Sequence, residues 1–287
     1  MARYDLPDEA WTLIQPLLPA HPASPRAGRP WAAHRMIING MFWGLCSGAP
    51  WHDLPERYGP WKTVYNRFNL WSKSGVINII FNRLLSSFDS HDLADWSATA
   101  LDGSNIRALK CAAGAPKKQP DIAGDNGLGR SRGGFGTKIH MATDGSGLPL
   151  NIVLSPGQVY ESQCAQRLLD GIGVHRQNGS MKRCGHVVQA DRAYSGHTLR
   201  NELINKGIKT ITPRKFNQKM ESDGRLRLDR DACRNRNRNR NRNVVERCFG
   251  RLKEYRRIAT RYDKTARNYL AMVNLGCIRL IYQRLCN

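Results

Sequence analysis

Three acidic side chains stand out in this sequence for the company they keep. Asp102 sits in LDGSNIRALK, Asp191 closes VVQAD, and Glu246 interrupts the basic run RNRNRNRNVVERCFGRLK. Each has an ordinary reading of its own. Asp-Gly is a common turn pair, and an aspartate at a strand end often caps a turn. Asn243-x-x-Glu246 approximates a capping box, and Glu246 lies one turn from Arg242. Together, three hard oxygen donors from two strands and a helix would suit Mg²⁺ or Mn²⁺. Two such ions, about 3.5–4 Å apart, can stabilise both the attacking and the leaving oxygen of an in-line phosphoryl displacement. That chemistry gives Glu246 a reason to sit among cations. The surrounding bases hold a phosphate backbone while the carboxylate holds a metal against it.

The charge balance supports a polyanionic partner. The 287 residues carry a formal charge of +22, an excess that favours DNA or RNA. It is unevenly spread: residues 1–95 hold 9 Lys/Arg against 8 Asp/Glu, and the remainder holds 36 against 15. The eight cysteines form no CxxC pair and have no zinc-like histidine spacing, which excludes a zinc module. Reduced thiols in a cytoplasm are expected, and no apolar run is long enough to cross a bilayer.

The elements that must position the acids follow from periodicity. Residues 1–95 read as helices. In LPDEAWTLIQPLLP, Pro7 opens a helix with Asp8 and Glu9 in its first turn. RAGRP reads as a loop, and a second helix is expected from Trp31 towards Ser47. In PERYGPWKTVYNRFNLWSKSG, Gly59-Pro60 separates a short helix from a longer one. Trp61, Val64, Phe68 and Trp71 form the apolar stripe of the latter. Lys62, Asn66 and Arg67 point elsewhere, as side chains able to read base edges from a helix-turn-helix; an ordinary amphipathic surface helix has the same pattern. A further helix is expected from Val76 to about Phe88, then a linker.

From Ala98 the period changes to that of strands. The expected order is a short strand with Asp102, a Gly/Pro/Lys-rich loop, a hairpin turning at residues 144–147, a helix from Tyr160, and a strand ending at Asp191. A helix capped by Ser195 and stopped at Gly207 follows, then the strand KTITP and one long helix, VVERCFGRLKEYRRIATRY. This describes a mixed α/β sheet, whose ligands gather beyond the carboxyl ends of strands. On the last helix, Val245, Cys248, Phe249 and Leu252 would dock on the sheet. Glu246, Gly250, Lys253 and Arg257 would share a neighbouring face, with Lys253 near a phosphate. The alternating Arg-Asn run has no apolar face and reads as a solvated, mobile segment until it meets phosphate.

The strings LDGSNIRALK, GRSRGGFGTKIHMATDGSGLPL, VVQADRAYSG and NVVERCFGRLKEYRRIATRYDK, with GRPWAAHRMIINGMFWGLCSGAPWHDLPERYGPWKTVYNRF before them, resemble the DDE transposases of bacterial insertion sequences, in the group known as family five. The resemblance implies an RNase H-like catalytic domain over 96–287, preceded by an all-α, helix-turn-helix-like DNA-binding domain over 1–95. It implies that Asp102, Asp191 and Glu246 are the catalytic, metal-binding triad, and that Arg242, Glu246 and Lys253 form the helix signature. Asn239 stands where related signatures often have tyrosine. Arg130, Arg132 and Lys138 are expected on the backbone-binding surface.

The implied chemistry is Mg²⁺- or Mn²⁺-dependent cleavage at terminal inverted repeats, followed by strand transfer into target double-stranded DNA. The implied setting is a homodimer or larger synaptic complex in the bacterial cytoplasm, associated with the nucleoid. The competing expectations are a metal-dependent RNase H-like nuclease and a DNA-binding regulator derived from an inactive copy.

Overall fold

The computed structural model describes residues 3–20, 31–114, 126–212 and 236–286. Within these, the N-terminal segment is helical: α1 (Asp8–Ile14), α2 (His34–Ser47), α3 (Trp61–Lys73) and α4 (Val76–Ser90). The apolar spacing determines the buried faces. Ile37, Met41, Phe42 and Leu45 of α2 meet Val64, Phe68 and Trp71 of α3. The second helix starts at His34 rather than Trp31, and RAGRP lies outside the described residues. Gly48 ends α2 in the left-handed conformation (φ 69°), where a Cβ would come within 2.7 Å of the Arg256 side chain. Both the turn and the close approach therefore require glycine.

The strands β1 (Thr99–Ala108), β2 (Gly129–Ser131), β3 (Gly134–Asp144), β4 (Pro149–Pro156), β7 (Val187–Ala190), β8 (Lys209–Ile211) and β9 (Thr260–Arg261) form one mixed sheet. A separate small ribbon pairs β5 (Val174–His175) with β6 (Met181–Lys182). In the main sheet β3 lies antiparallel between β1 and the collinear β4 and β2, and β1, β7 and β8 run parallel. The hairpin falls as the sequence predicts. The tight β2–β3 turn and the β5–β6 ribbon were not anticipated, and β1 is a full ten residues rather than short.

Helices complete the fold: α5 (Lys110–Ala113), α6 (Glu161–Asp170), α7 (His197–Asn205), α8 (Arg236–Lys253), α9 (Arg256–Ala259) and α10 (Ala266–Leu285). Helix α6 packs on β1, β3 and β4, and α8 on β1 and β3. Helix α10, unassigned by sequence reading, is buried along most of its length and packs on α4, α3, α2 and β4. One apolar core therefore runs continuously from Leu6 to Tyr282.

Three local expectations are corrected. The cap of α7 is Gly196, and Ser195 is buried instead. Helix α8 begins at Arg236, so part of the Arg-Asn run is helical and Glu246 lies in the helix interior, not in a capping box. The segment 244–262 is not one helix: Glu254 and Tyr255 donate back to Arg251 and Leu252 in tight i→i+3 bonds, Tyr255 turns extended, and the chain continues into α9 and β9. No Gly or Pro marks this break; burial of Arg257 and Ile258 accompanies it.

Candidate active site

Asp102 lies within β1, not in a turn. Its Oδ1 accepts the Gly103 N–H at 2.7 Å. Asp191 follows β7 directly and caps a short 3-10 turn over Arg192–Tyr194, with its Oδ1 accepting the Ala193 N–H at 2.7 Å. The turn-capping reading of Asp191 is thus real, and it leaves the other carboxylate oxygen uncommitted among these bonds. The parallel register pairs Leu101 with Ala190, so Asp102 and Asp191 occupy the next position on adjacent strands. Glu246 is exposed on α8, whose Val245, Cys248, Phe249 and Leu252 are buried as the expected docking stripe.

The electrostatics join these three chain-distant acids. The Asp102 carboxyl is pushed up to about 6. Burial is the main cause, opposed by the Gly103 hydrogen bond and reinforced by the negative fields of Glu161, Asp191 and Glu246. Like charges gathered around a half-buried carboxylate raise its pKa because each disfavours ionisation of the next. Such a donor set fits a hard divalent cation. As the side chains stand, no three His, Cys, Asp or Glu residues among those described converge closely enough to hold one ion. The acids share a field rather than a finished coordination sphere.

The expected basic residues divide into two groups. Lys62 and Asn66 on α3, Arg130 and Arg132 around the β2–β3 turn, and Lys253 at the end of α8 are exposed. Arg130 and Arg132 line a shallow concavity of about 410 Å³ with Asn105, Lys138 and Tyr160. The side chain of Arg242 lies outside the described residues, as does that of Asn239. Lys138 is turned inward, 3.3 Å from the Glu161 carboxylate and 3.1 Å from the Val159 carbonyl.

Arg67 and Arg257 do not fit the expectation of DNA contact. Arg67 is 8% exposed, with its guanidinium 3.8 Å from the centre of the Trp31 ring. Arg257 is 5% exposed, stacks 4.8 Å over Trp51, donates to the Ala49 carbonyl at 3.0 Å and pairs with Asp263 at 3.4 Å. Both are packing residues: aromatic faces take both guanidinium groups, and the Ala49 carbonyl and the Asp263 carboxylate also take that of Arg257. The helix break before Arg256 also removes Arg257 from the face that carries Glu246 and Lys253.

Sequence reading missed Glu161 and Tyr194. Glu161 opens α6, where an acid is common because of the helix dipole, so nothing in its local sequence singled it out. Tyr194 is fully buried, and its hydroxyl has no hydrogen-bond partner among the described residues.

A mixed sheet of this strand order, with one carboxylate on a central strand, one just past the end of its neighbour and a third on a helix packed against them, defines an RNase H-like domain. Comparison with known proteins identifies it further. A family model for the "Transposase DDE domain" matches residues 95–281, and one described as "Putative transposase of IS4/5 family" matches residues 6–81. The chain belongs to the DDE transposase family of insertion sequences.

Among its relatives, an "Insertion element IS402 uncharacterized 16.2 kDa protein" of Burkholderia cepacia is 37% identical over 134 residues, 44% of this chain and 87% of the relative. A "Putative transposase for insertion sequence element IS6501" of Brucella ovis is 34% identical over 145 residues, 49% of this chain and 94% of the relative. A second Burkholderia cepacia protein, "Putative transposase for insertion sequence element IS402", is 27% identical over 173 residues, covering 60% and 72%. No solved structure matches the chain. Among the described residues, no helix is long and apolar enough to cross a membrane.

Proposed function

We propose that this chain binds the terminal inverted repeats of its own element and carries out metal-dependent cleavage and strand transfer at Asp102, Asp191 and Glu246. The observation that supports this most is the register of β1 against β7, which pairs Leu101 with Ala190 just before Asp102 and Asp191, while the field of Glu246 reaches Asp102 from α8. These three carboxylates would hold Mg²⁺ or Mn²⁺, two ions in the reading adopted here, which supply charge stabilisation to the attacking and leaving oxygens.

The protein's own groups do the positioning. Lys253, at the end of the helix that carries Glu246, meets a phosphate next to the scissile one. Arg130 and Arg132 hold the backbone at the shallow concavity that they line. Lys62 and Asn66 present the outer face of α3 to a duplex, where phosphate contacts fix register and base contacts select sequence. A water first opens the phosphodiester and frees a 3′-hydroxyl, which then attacks target DNA. Two element ends must meet, so the working form is a homodimer or a larger synaptic complex.

Supercoiled plasmid carrying the element ends, incubated with Mg²⁺, tests this reading. Joined products are expected. Cleavage without joining would favour a nuclease, and end binding without cleavage would favour a regulator.

A further inference from the structure

A cavity of about 910 Å³ opens where the N-terminal segment, α2, the end of α8 and the end of α10 meet. Its wall carries four guanidinium groups, those of Arg3, Arg251, Arg279 and Arg284, against one carboxylate, that of Glu254. Sequence reading singled out none of the four, because they come from three stretches far apart in the chain and only the fold gathers them.

Two of the four are fixed in place. Arg279 donates to the Tyr4 carbonyl at 3.2 Å and lies 5.5 Å from the centre of the Phe42 ring. Arg284 donates to the Ser146 hydroxyl at 3.0 Å and to the Ser146 carbonyl at 3.4 Å. A guanidinium has several more N–H donors than these bonds use. Arg3 and Arg251 are exposed. Among the described residues, no carboxylate, Glu254 included, lies within ion-pair distance of any of the four. Their positive fields converge. Arg279 and Arg3 both draw down the Cys46 thiol, which burial pushes up, and Arg284 and Arg251 act likewise on the Cys248 thiol. Like charges around one concavity repel each other, and an anion seated among them relieves that repulsion. The planar fork of arginine matches a phosphate with two parallel hydrogen bonds.

The cavity lies on a different flank of α8 from the acids. Arg251 follows Glu246 by five residues, which at 3.6 residues per turn is about 140° around the helix. A backbone that meets Glu246 and Lys253 therefore does not pass through the cavity on the same course.

We propose that this cavity binds the phosphate backbone of a second DNA segment, distinct from the one presented to Asp102, Asp191 and Glu246. DNA is named on the strength of the function proposed above, in which an element end and a target must be held at once. The phosphate contacts themselves need neither metal nor the three acids.

Fluorescence anisotropy of the full chain with a labelled random-sequence duplex, lacking the element ends and in the presence of chelator, tests this without cleavage. Replacing Arg3 and Arg251 together by alanine is expected to reduce the slope of log affinity against log salt by about 2, about 1 for each lost phosphate contact. Replacing both by lysine, which keeps the charges, should restore most of that slope. Glu254→Gln should tighten binding. Arg83→Ala, which removes an exposed charge on α4 outside the cavity, should leave the slope unchanged. Melting curves check that the variants fold; if the double alanine variant does not, Arg251→Ala alone carries the test, with an expected reduction of about 1. A wild-type slope in the folded alanine variant would overturn the proposal. An equal loss in Arg83→Ala would also overturn it, by marking an effect of total charge. So would loss of polyglutamate binding with DNA binding intact, which would assign the cavity to an acidic protein. Failure of the wild type to bind the duplex at all would overturn the proposed function as well, so the two failures are told apart.

Discussion

Replacing Asp102 by asparagine should stabilise the metal-free protein while abolishing its chemistry. The Asp102 carboxyl has a folded-state pKa of about 6 against an ordinary value of 3.8. A folded pKa above the unfolded one means that the native state binds the proton more tightly. Stability is therefore unaffected at pH values below the unfolded pKa, falls as pH rises through this interval, and stays low above the folded pKa. The difference of about 2 in pKa, at about 1.4 kcal/mol each, corresponds to about 3 kcal/mol. Asparagine carries no charge, and its carbonyl oxygen can still accept the Gly103 N–H.

The expected gain is thus up to about 3 kcal/mol at about pH 8, and close to zero at about pH 4. In a melting experiment with chelator present, that is a rise of roughly 5–10 °C at the higher pH only. Added Mg²⁺ should narrow the gap by stabilising the wild type, because a ligand that binds only the native state stabilises it. An asparagine variant destabilised equally at both pH values would refute the reasoning, since Asp102 would then contribute packing rather than repulsion. Stability sacrificed at a functional site is a familiar trade-off.

Other perturbations separate the exposed bases from the buried ones. Arg67→Ala should destabilise the fold by about 3 kcal/mol in urea denaturation, because it removes a buried cation that packs on Trp31 and leaves a cavity. Arg257→Ala should lower stability similarly, yet leave the salt dependence of DNA binding unchanged in gel shifts. Lys253→Ala should preserve the melting temperature and reduce the slope of log affinity against log salt by about 1, the expectation for one lost phosphate contact.

Much of this site was legible in the sequence because its parts lie on periodic elements. The stripe Val245, Cys248, Phe249 and Leu252 announces a docked helix, and docking fixes the side on which Glu246 stands. The apolar run before Asp191 predicts a strand end. Arg67 and Arg257 were misread because an arginine on a helix looks the same whether its guanidinium meets water or an indole ring. Only the tertiary placement of Trp31 and Trp51 decides between them. Helix α10 was overlooked although YLAMVNLGCIRLIY is apolar nearly all round, since a helix buried on every side lacks the amphipathic period that marks surface helices. Glu161 was invisible for a different reason: the place of its carboxylate depends on a missing Cβ some sixty positions away, which no local pattern records.

In the proposed function, three acids remote in the chain act as one metal-dependent centre. The most direct measurement is Mg²⁺-dependent cleavage of supercoiled plasmid bearing the element ends by Asp102→Asn, Asp191→Asn and Glu246→Gln, with end binding followed in parallel by gel shift. Each variant is expected to retain the ends and lose cleavage. Wild-type cleavage by any one of the three would contradict it.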